Sequence, residues 1–597
     1  MQGSSYESSV DDERVREMVR LYFGTQPEDA LSSILSELER VWVPGGEWLF
    51  HAGDEGTSLF LVARGRLQVW SEPDAAADGS EPHLLGELGP GETLGEVGLL
   101  AGGTRSASVR AIRDSLLLRM DRETFERLAA AHPSLALELA AQVARRLRDR
   151  TSRTRSVARG PENFTMIALG DGTSLTGIAE ELSEALATHG TTRRVGIGEL
   201  HRSGVSSPSE WLDELESKSD YLLLETEPNP SPWSEICLRH ADAFLLFANA
   251  ADRPSLGPFG EVAGEGTGLA KRLLVLLHDG ESISHGADWR RVVRPDEIYH
   301  VRSTSRARDV ARLARILAGR AIGLVLGGGA ARGLAHIGVY RALCEAEIPV
   351  DWVGGASIGS VFAAAMAHDW SPDEVEAIAR EAFVQKKPFG DYTIPLVALL
   401  RGKRVQRLVK QYFDLDIEDL PVPYFCVSSH LDRGEIAVHE SGHLWQAVRA
   451  SIALPGVLPP AVVDRHLAID GGVLNNLPVD VMRARRVGRV VAVDLSARED
   501  RAVQFEEFPS ALQILRKRLF PFVRAPGVPN IFTLMIKASF VSSAAHSQAV
   551  RGLADLLLEP PVSRFGLLDV KAFDELVQVG YEHTRSRLET EWKLVGT

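Results

Sequence analysis

The chain has 597 residues, of which 44% are hydrophobic and 25% are charged, and its formal net charge is -15 at pH 7. This length predicts about four domain-sized units, and the negative charge argues against nucleic acid as a general partner. No apolar run reaches the roughly 18 residues that a membrane-spanning helix needs. The N-terminus lacks the features of a signal peptide, and the three cysteines lie far apart without metal-binding spacing. We therefore expect a cytoplasmic protein.

Three short segments near the N-terminus are rich in apolar and aromatic residues. They read W-L-F-H, S-L-F-L-V-A and L-Q-V-W, and they are split by Gly53, Gly56 and Gly65. Such runs between glycines predict short β-strands. From Pro133 to Arg150 the apolar spacing changes to that of an amphipathic helix.

A candidate anion and sugar site follows these segments, between Leu94 and Val109. Glu96 precedes Arg105 by nine residues, and small residues surround both. A ribose hydroxyl needs a carboxylate acceptor, whereas a cyclic phosphate needs a guanidinium and backbone N–H donors. The stretch resembles the phosphate-binding cassette of cyclic-nucleotide-binding domains, and the matching positions are Gly95, Glu96, Arg105 and Ser106.

That resemblance implies that Glu96 holds the ribose 2'-hydroxyl and that Arg105 and Ser106 hold the phosphate. Because both the acid and the arginine are present, we expect a cyclic nucleotide as an allosteric ligand, and the choice between cyclic AMP and cyclic GMP stays open. The alternative is a scaffold that has lost its ligand. A transcription factor of the catabolite activator type is disfavoured, because an arginine-rich linker over 145–159 stands where a helix-turn-helix would follow.

Between Phe164 and Ser303 the chain alternates strand and helix patterns. The strand candidates are F-T-M-I-A-L, Y-L-L-L-E, A-F-L-L-F-A and R-L-L-V-L-L. This alternation predicts a doubly wound parallel sheet. Its first turn, G-D-G-T-S, lacks the lysine of a phosphate-binding loop, so we interpret the region as a degenerate nucleotide-binding domain that acts as a spacer or transmitter.

Two glycine-rich strings farther along the chain predict a nucleophilic serine and an oxyanion cradle. G-G-G-A-A-R-G spans Gly327 to Gly333 and follows an apolar strand over Ile322 to Leu326. Consecutive glycines at a helix N-terminus expose N–H groups that bind negative charge. G-A-S-I-G follows a predicted strand over Val350 to Gly354, and a helix is expected from near Ile358. The sharp strand-to-helix turn of G-x-S-x-G exposes the central serine, Ser357.

The serine needs a base, and the best acid candidate is Asp470, in I-D-G-G-V-L-N-N-L-P-V-D. His546 and His583 lie in segments without a catalytic motif, and we interpret His336 as a packing or loop-bracing residue. An aspartate between an apolar run and two glycines can accept the serine proton directly. The pattern therefore points to a Ser-Asp dyad.

The glycine-rich loop, G-A-S-I-G and D-G-G, in this order, resemble the catalytic domain of patatin-like phospholipases. The strings N-N-L-P-V-D and A-S-I-A-L-P-G-V-L-P-P narrow the resemblance to the neuropathy target esterase branch and its bacterial relatives, over about residues 321–494. The resemblance implies hydrolysis of fatty-acyl esters of phospholipids or lysophospholipids, with no metal or other catalytic cofactor. It assigns Ser357 as nucleophile and Asp470 as base, and the supporting positions are the elbow glycines Gly355 and Gly359, the D-G-G glycines Gly471 and Gly472, and the oxyanion loop Gly327, Gly328, Gly329, Ala330 and Arg332.

The resemblance implies different roles for the backbone N–H groups of this loop and for the Arg332 side chain. The backbone N–H groups of Gly328, Gly329 and Ala330 would form the oxyanion hole, and Arg332 would either brace the loop or meet substrate phosphate. The alternative function is a cyclic-nucleotide-dependent lipid-binding or scaffold protein with a silent lipase domain. An intact Ser357 and Asp470 argue against it.

The predicted fold is multidomain α/β. The expected domains are an N-terminal helical tail (1–26), a cyclic-nucleotide-binding β-roll (27–150), a linker (151–162), a degenerate Rossmann-like domain (163–318), a patatin-like hydrolase domain (319–500) and its C-terminal extension (501–597). Ile514 to Arg524 mixes basic and bulky apolar residues, so it is either a peripheral contact with the inner membrane face or an ordinary packed helix. The oligomeric state stays open.

Overall fold

The computed structural model describes residues 16, 19–20, 28–71, 83–135, 163–170, 172–205, 208–260, 270–485, 487–496, 510, 541–567 and 569–592. The chain divides into two compact units, Met1–Val275 with Val292–Glu297 and Leu276–Arg291 with Ile298–Thr597. Most of the helix predicted over 133–150, the linker 151–162 and the Ile514 to Arg524 segment lie outside the described residues. The predicted domain limits stay predictions.

Two four-stranded antiparallel sheets form the N-terminal β-roll, in the orders β1-β8-β3-β6 and β2-β7-β4-β5. The strands are β1 (Glu39–Val43), β2 (Trp48–Phe50), β3 (Ser58–Arg64), β4 (Leu67–Ser71), β5 (His83–Leu88), β6 (Thr93–Leu94), β7 (Ser108–Ala111) and β8 (Ser115–Asp121). The helices are α1 (Glu28–Glu37), α2 (Glu96–Ala101) and α3 (Arg122–Ala131).

Strand β3 shows how the sequence builds this roll. Successive side chains of a strand point to opposite faces of the sheet. Phe60 and Val62 therefore join the core between the two sheets, whereas Leu59 and Leu61 pack in a second core with Phe125 of α3. Both faces of β3 are buried, which explains its unbroken apolar run. The predicted β-roll is confirmed.

A six-stranded sheet follows in the order β10-β11-β9-β12-β13-β14. The strands are β9 (Asn163–Ala168), β10 (Thr192–Val195), β11 (Tyr221–Glu225), β12 (Ala243–Asn249), β13 (Lys271–His278) and β14 (Glu297–Arg302). The helices are α4 (Leu175–Ala187), α5 (Ile197–Ser203), α6 (Pro208–Ser217), α7 (Pro232–His240), α8 (Gly286–Val293) and α9 (Arg306–Leu317). The β10–β11, β11–β9 and β9–β12 pairs are parallel, so the predicted doubly wound sheet is confirmed.

The C-terminal sheet has eight strands in the order β19-β20-β17-β16-β15-β21-β22, with β18 paired to β17. The strands are β15 (Ile322–Leu326), β16 (Trp352–Ala356), β17 (Tyr424–His430), β18 (Glu435–His439), β19 (Ala461–Val463), β20 (His466–Asp470), β21 (Arg489–Val493) and β22 (Leu556–Leu558). The helices are α10 (Ala335–Glu345), α11 (Ile358–Ala367), α12 (Pro372–Arg380), α13 (Lys403–Tyr412), α14 (Leu444–Ser451), α15 (Val479–Arg483), α16 (Val541–Val550) and α17 (Phe573–Arg587).

Strand β16 begins two residues later than the sequence predicts, at Trp352 instead of Val350. Pro349 cannot donate a backbone hydrogen bond, which disfavours pairing at that point. Asp351, just before β16, instead makes two hydrogen bonds with Ile322 at the start of β15. Its N–H donates to the Ile322 carbonyl, and its carboxylate accepts the Ile322 N–H. The strand over Ile322–Leu326 forms as predicted.

The sheet register brings three segments together at one edge. Ala356, the last residue of β16, lies opposite Val427 of the parallel strand β17. The next residue of β17, Ser428, lies opposite Asp470 at the end of the antiparallel strand β20. The residue after β16 is Ser357. The register therefore places Ser357 and Asp470 at the same level, with strand β17 between them.

Candidate active site

Ser357 occupies a strained turn between β16 and α11. Its backbone has φ 52° and ψ -130°, a conformation that residues with side chains rarely adopt. A Cβ on Gly359 would lie 2.0 Å from the Leu326 carbonyl oxygen, and a Cβ on Gly355 would lie 2.6 Å from the Gly359 carbonyl carbon. Only glycine fits at both positions, so the turn of G-A-S-I-G depends on them.

The Asp470 carboxylate lies within hydrogen-bond distance of the serine hydroxyl. The Ser357 Oγ donates to Asp470 Oδ2 at 2.6 Å, and the Gly472 N–H donates to Asp470 Oδ1 at 2.8 Å. Burial raises the pKa of Asp470 to about 7, although the bonds from Ser357 and Gly472 oppose this shift. A Cβ on Gly471 would lie 2.1 Å from the Val427 carbonyl oxygen, so the D-G-G glycine lets the carboxylate end of β20 approach β17.

The glycine-rich loop after β15 presents fewer free donors than the sequence predicts. The Gly327 N–H donates to the Val493 carbonyl at 2.9 Å, and the Gly328 N–H donates to the Asn476 carbonyl at 3.2 Å. Within the described part of the chain, the N–H groups of Gly329 and Ala330 have no acceptor. Of the three predicted oxyanion donors, the Gly328 N–H is therefore already bound to a protein carbonyl, and the oxyanion hole itself stays a prediction.

Arg332 braces this loop from the inside. Its side chain is buried, and its Nε and Nη2 donate to the carbonyls of Phe565 at 2.9 Å and Ser563 at 3.4 Å. These contacts fit the bracing role, and a contact with substrate phosphate stays a prediction. His336 acts similarly: its Nε2 donates to the Gly327 carbonyl at 2.9 Å, and burial lowers its pKa to about 4. The imidazole is neutral near pH 7 and is already used as a structural donor.

Asn476 and Ser451, for which the sequence predicts no role, hold the site in place. The Asn476 Nδ2 donates to the Gly328 carbonyl at 3.2 Å, so Asn476 binds Gly328 through both its side chain and its backbone. The Ser451 Oγ accepts the Ser357 N–H at 3.0 Å. Both residues stand in strings that narrowed the resemblance, N-N-L-P and A-S-I-A-L-P, and those strings were the available signal.

The later histidines have other partners. His546 Nε2 lies 3.4 Å from Asp480 Oδ2, and His583 Nε2 accepts the Glu559 N–H at 3.2 Å. Neither contact involves Ser357 or Asp470. The acceptor for the Ser357 hydroxyl is the Asp470 carboxylate.

The predicted nucleotide-binding residues lie together on the β-roll. Glu96 is buried at the start of α2, Arg105 is also buried, and Ser106 is exposed beside it. The Arg105 guanidinium lies 4.3 Å from the Phe50 ring centroid and 3.5 Å from the Gly95 carbonyl oxygen. Gly95 has φ 85°, and a Cβ there would lie 2.6 Å from the Ser58 carbonyl oxygen, so glycine is required.

The Arg105 side chain has opposing electrostatic influences and one unused hydrogen-bond donor. Burial lowers the pKa of Arg105, whereas the charges of Asp54 and Glu96 raise it. Its Nε is buried without a hydrogen-bond partner in the described structure. A buried guanidinium with an unused donor is suited to a phosphate oxygen.

A buried ion-pair network joins the β-roll to the six-stranded domain. Arg113 lies just after β7, and its Nη2 lies 2.5 Å from Glu216 of α6 while its Nε lies 2.8 Å from Asp242. Burial alone would raise the pKa of Glu216, but the Arg113 charge and hydrogen bond outweigh it and hold the pKa at about 2. The strand that follows Arg105 therefore ends in a charged contact with the neighbouring domain.

Comparison with known proteins agrees with each part of this architecture. The patatin-like phospholipase family matches residues 324–483, the cyclic nucleotide-binding domain matches residues 40–132, and the neuropathy target esterase family P-loop like domain matches residues 171–293. The fold and the site thus define a hydrolase of the patatin-like phospholipase class.

Among the described helices, none is long and apolar enough to cross a membrane.

Whole-chain relatives narrow this class. An uncharacterized NTE family protein of Mycobacterium tuberculosis is 32% identical, over 95% of both chains. The chain belongs to the neuropathy target esterase family. The lysophospholipase nte1 of Neosartorya fischeri is 30% identical over 92% of this chain and 42% of its own length.

The solved catabolite activator protein of Thermus thermophilus is 28% identical over 33% of this chain and 79% of its own, with a TM-score of 0.21.

Proposed function

We propose that this protein hydrolyses fatty-acyl esters of phospholipids or lysophospholipids through a Ser357–Asp470 dyad. The observation that carries the proposal is the 2.6 Å hydrogen bond from Ser357 Oγ to a carboxylate whose pKa lies at about 7. A general base works best when its pKa lies near the working pH. Lysophospholipase relatives support the choice of substrate class.

The first half of the reaction acylates the serine. Asp470 Oδ2 takes the Ser357 proton while Oγ forms a bond to the ester carbonyl carbon. The negative charge that develops on the carbonyl oxygen is met by the N–H groups of Gly329 and Ala330, which is the kind of stabilisation that accelerates acyl transfer most. The bond to the alcohol oxygen then breaks, and Asp470 returns the proton to the departing alcohol.

The second half releases the fatty acid. Asp470 takes a proton from water as the water oxygen attacks the acyl-serine carbonyl. The bond between that carbon and Ser357 Oγ breaks, and Asp470 returns the proton to the serine. One ester bond and one water are consumed, and one acid and one alcohol are produced. The same carboxylate acts as base and then as acid in both halves.

Replacing the nucleophile tests this proposal. Ser357→Ala removes the attacking oxygen, so we expect turnover of lysophosphatidylcholine and of a soluble short-chain ester to fall about 10⁴-fold or more. A fluorophosphonate probe should label the wild-type chain and leave the variant unlabelled. The matched control is Ser203→Ala, an exposed serine whose Oγ bonds only locally to the Leu200 carbonyl. Equal turnover by wild type and Ser357→Ala would contradict the proposal, and a wild type without turnover would favour a lipid-binding scaffold.

We further propose that a cyclic nucleotide, bound at Glu96 and Arg105, regulates the hydrolase. The buried Arg105 guanidinium supplies the phosphate contact, and the Arg113 pairs with Glu216 and Asp242 supply a route into the adjacent domain. Calorimetry with cyclic AMP and cyclic GMP tests the binding step, with Arg105→Ala as the variant that should lose it. Absence of binding heat with either nucleotide on the wild type would reduce the domain to a scaffold.

A further inference from the structure

The segment between α12 and α13 exposes an unusual amount of apolar surface. We call residues 384–397 the apolar loop. Tyr392 is 71% exposed, Ile394 is 76%, Leu396 is 87% and Val397 is 71%. Single exposed apolar residues are ordinary, but a contiguous exposed apolar patch marks an interaction site. Val384 and Phe389 extend the same patch toward α12.

The apolar loop is anchored to the active-site region by backbone hydrogen bonds. The N–H groups of Leu399 and Leu400, directly after the loop, donate to the carbonyls of Gly456 at 2.9 Å and Val457 at 3.1 Å. The same short segment contains Ala453, whose carbonyl accepts the Asp470 N–H at 3.0 Å. One stretch of chain therefore supports both the exposed loop and the carboxylate of the dyad.

The charge around the apolar loop is opposite to that of the whole protein. Residues 384–410 contain seven Lys or Arg and one Asp, although the full chain has a net charge of -15. Helix α13 buries Val405 and Val409, which leaves its cationic residues on the exposed side. The basic residues of this region are Lys386, Lys387, Arg401, Lys403, Arg404, Arg407 and Lys410.

We propose that the apolar loop and the basic residues of α13 dock on an anionic lipid surface. The exposed Ile394, Leu396 and Val397 enter the boundary between head groups and acyl chains, and the lysines and arginines lie against anionic head groups. Apolar burial and attraction to anionic lipids act together in this kind of binding. A second copy of the chain is a poor occupant, because two such basic patches would repel each other. The biological role of this surface rests on the proposed function, because a lipid hydrolase must reach its substrate in a membrane.

Vesicle binding by the full-length protein tests this docking surface. The probes are vesicles of phosphatidylcholine alone and vesicles in which about one third is phosphatidylglycerol, and bound protein is measured by sedimentation. We expect the wild type to bind the anionic vesicles, with affinity falling as salt rises. Ile394→Asp with Leu396→Asp should weaken binding at least about tenfold, because each apolar side chain is replaced by a charge of the wrong sign. Lys403→Glu with Arg407→Glu should give a loss of similar size that is confined to the anionic vesicles.

Matched controls alter the same chemistry elsewhere. Val292→Asp places a carboxylate on an exposed apolar position of α8, and Arg253→Glu reverses an exposed charge in a loop of the six-stranded domain. Both should bind vesicles as the wild type does. Circular dichroism and thermal unfolding of every variant show whether it is folded, and the loop positions are exposed enough that folding should be retained.

Three outcomes would overturn the inference. They are a wild type that does not bind anionic vesicles, loop variants that bind like the wild type, and loop variants that alter only the oligomeric state in size-exclusion chromatography. Hydrolysis of a soluble ester by the wild type is measured in parallel. If that activity is absent while loop-dependent vesicle binding remains, the proposed function fails and the docking surface stands.

Discussion

Asp470 meets Ser357 across one intervening strand of the sheet, with its Oδ2 2.6 Å from the serine Oγ. The contact joins residues 113 positions apart, and strand β17 aligns them because Val427 pairs with Ala356 while Ser428 pairs with Asp470.

Asp470→Asn should remove the base and keep the fold. The amide retains an oxygen for the Gly472 N–H, but its NH₂ group donates to Ser357 Oγ instead of accepting from it. We expect turnover of a soluble ester to fall about 10²- to 10⁴-fold, the usual contribution of a general base. Thermal unfolding should show little change, and a large drop in stability would mean that the carboxylate is mainly structural.

The activity should rise with pH as Asp470 loses its proton. Only the deprotonated carboxylate accepts the serine proton, and burial places the Asp470 pKa at about 7. We expect kcat/KM for a soluble ester to increase through a single ionisation in this range. The residual activity of Asp470→Asn should lack that ionisation. A wild-type profile that is flat between pH 5 and pH 9, a span of about two units on each side of neutrality, would contradict the assignment.

The same pKa predicts an opposite trend in stability. The folded state holds the Asp470 proton up to about pH 7, whereas an unfolded aspartate releases it near pH 4. The folded state therefore binds more protons between these limits, so this group's contribution to stability is lost as pH rises from about 4 to about 7. The slope should be at most about 1.4 kcal/mol per pH unit. Comparing chemical unfolding of the wild type and Asp470→Asn across this range isolates the effect, which the variant should lack.

Gly359→Ala tests the space that the nucleophile turn requires. The new Cβ would lie 2.0 Å from the Leu326 carbonyl oxygen, so β15 and the turn must separate. We expect a loss of about 1–3 kcal/mol of stability. Displacement of Ser357 should also lower turnover about 10²-fold.

Gly177→Ala is the matched control for that substitution. Gly177 lies inside α4, and apart from its chain neighbours and the helix's own backbone no atom lies within 4 Å of the position of an added Cβ. Alanine is the better helix former, so stability should increase by about 0.5–1 kcal/mol. If both alanine variants were destabilised equally, the steric explanation for Gly359 would be wrong.

Arg113→Met tests the ion pairs between the β-roll and the six-stranded domain. Removing the guanidinium takes the Arg113 ion pair from buried Glu216, whereas Asp242 keeps a longer pair with Arg66 Nε at 3.6 Å. We expect a loss of about 3–5 kcal/mol, measured by calorimetric unfolding. Arg127→Met removes an exposed pair with Glu37 and should cost less than about 1 kcal/mol. A similar small cost for both would show that the buried network contributes little.

Local sequence patterns were sufficient for the secondary structure near the site. The strand over Ile322–Leu326 and the helix that begins at Ile358 form as predicted, because apolar runs and glycine-rich turns act over a few neighbouring residues. The pattern predicts a start for β16 that is two residues too early, since it contains no information on the hydrogen bonds of Asp351.

The sequence alone is enough to identify the two glycine strings, the candidates Ser357 and Asp470, and the order of three domain types. Which N–H groups of the glycine-rich loop are free depends on the fold. The Asn476 carbonyl accepts the Gly328 N–H from 148 positions away, and the Phe565 carbonyl accepts a hydrogen bond from Arg332 Nε from 233 positions away. Motifs report what a short segment can do. Hydrogen bonds between distant segments depend on how the strands align, and that alignment exists only in the folded chain.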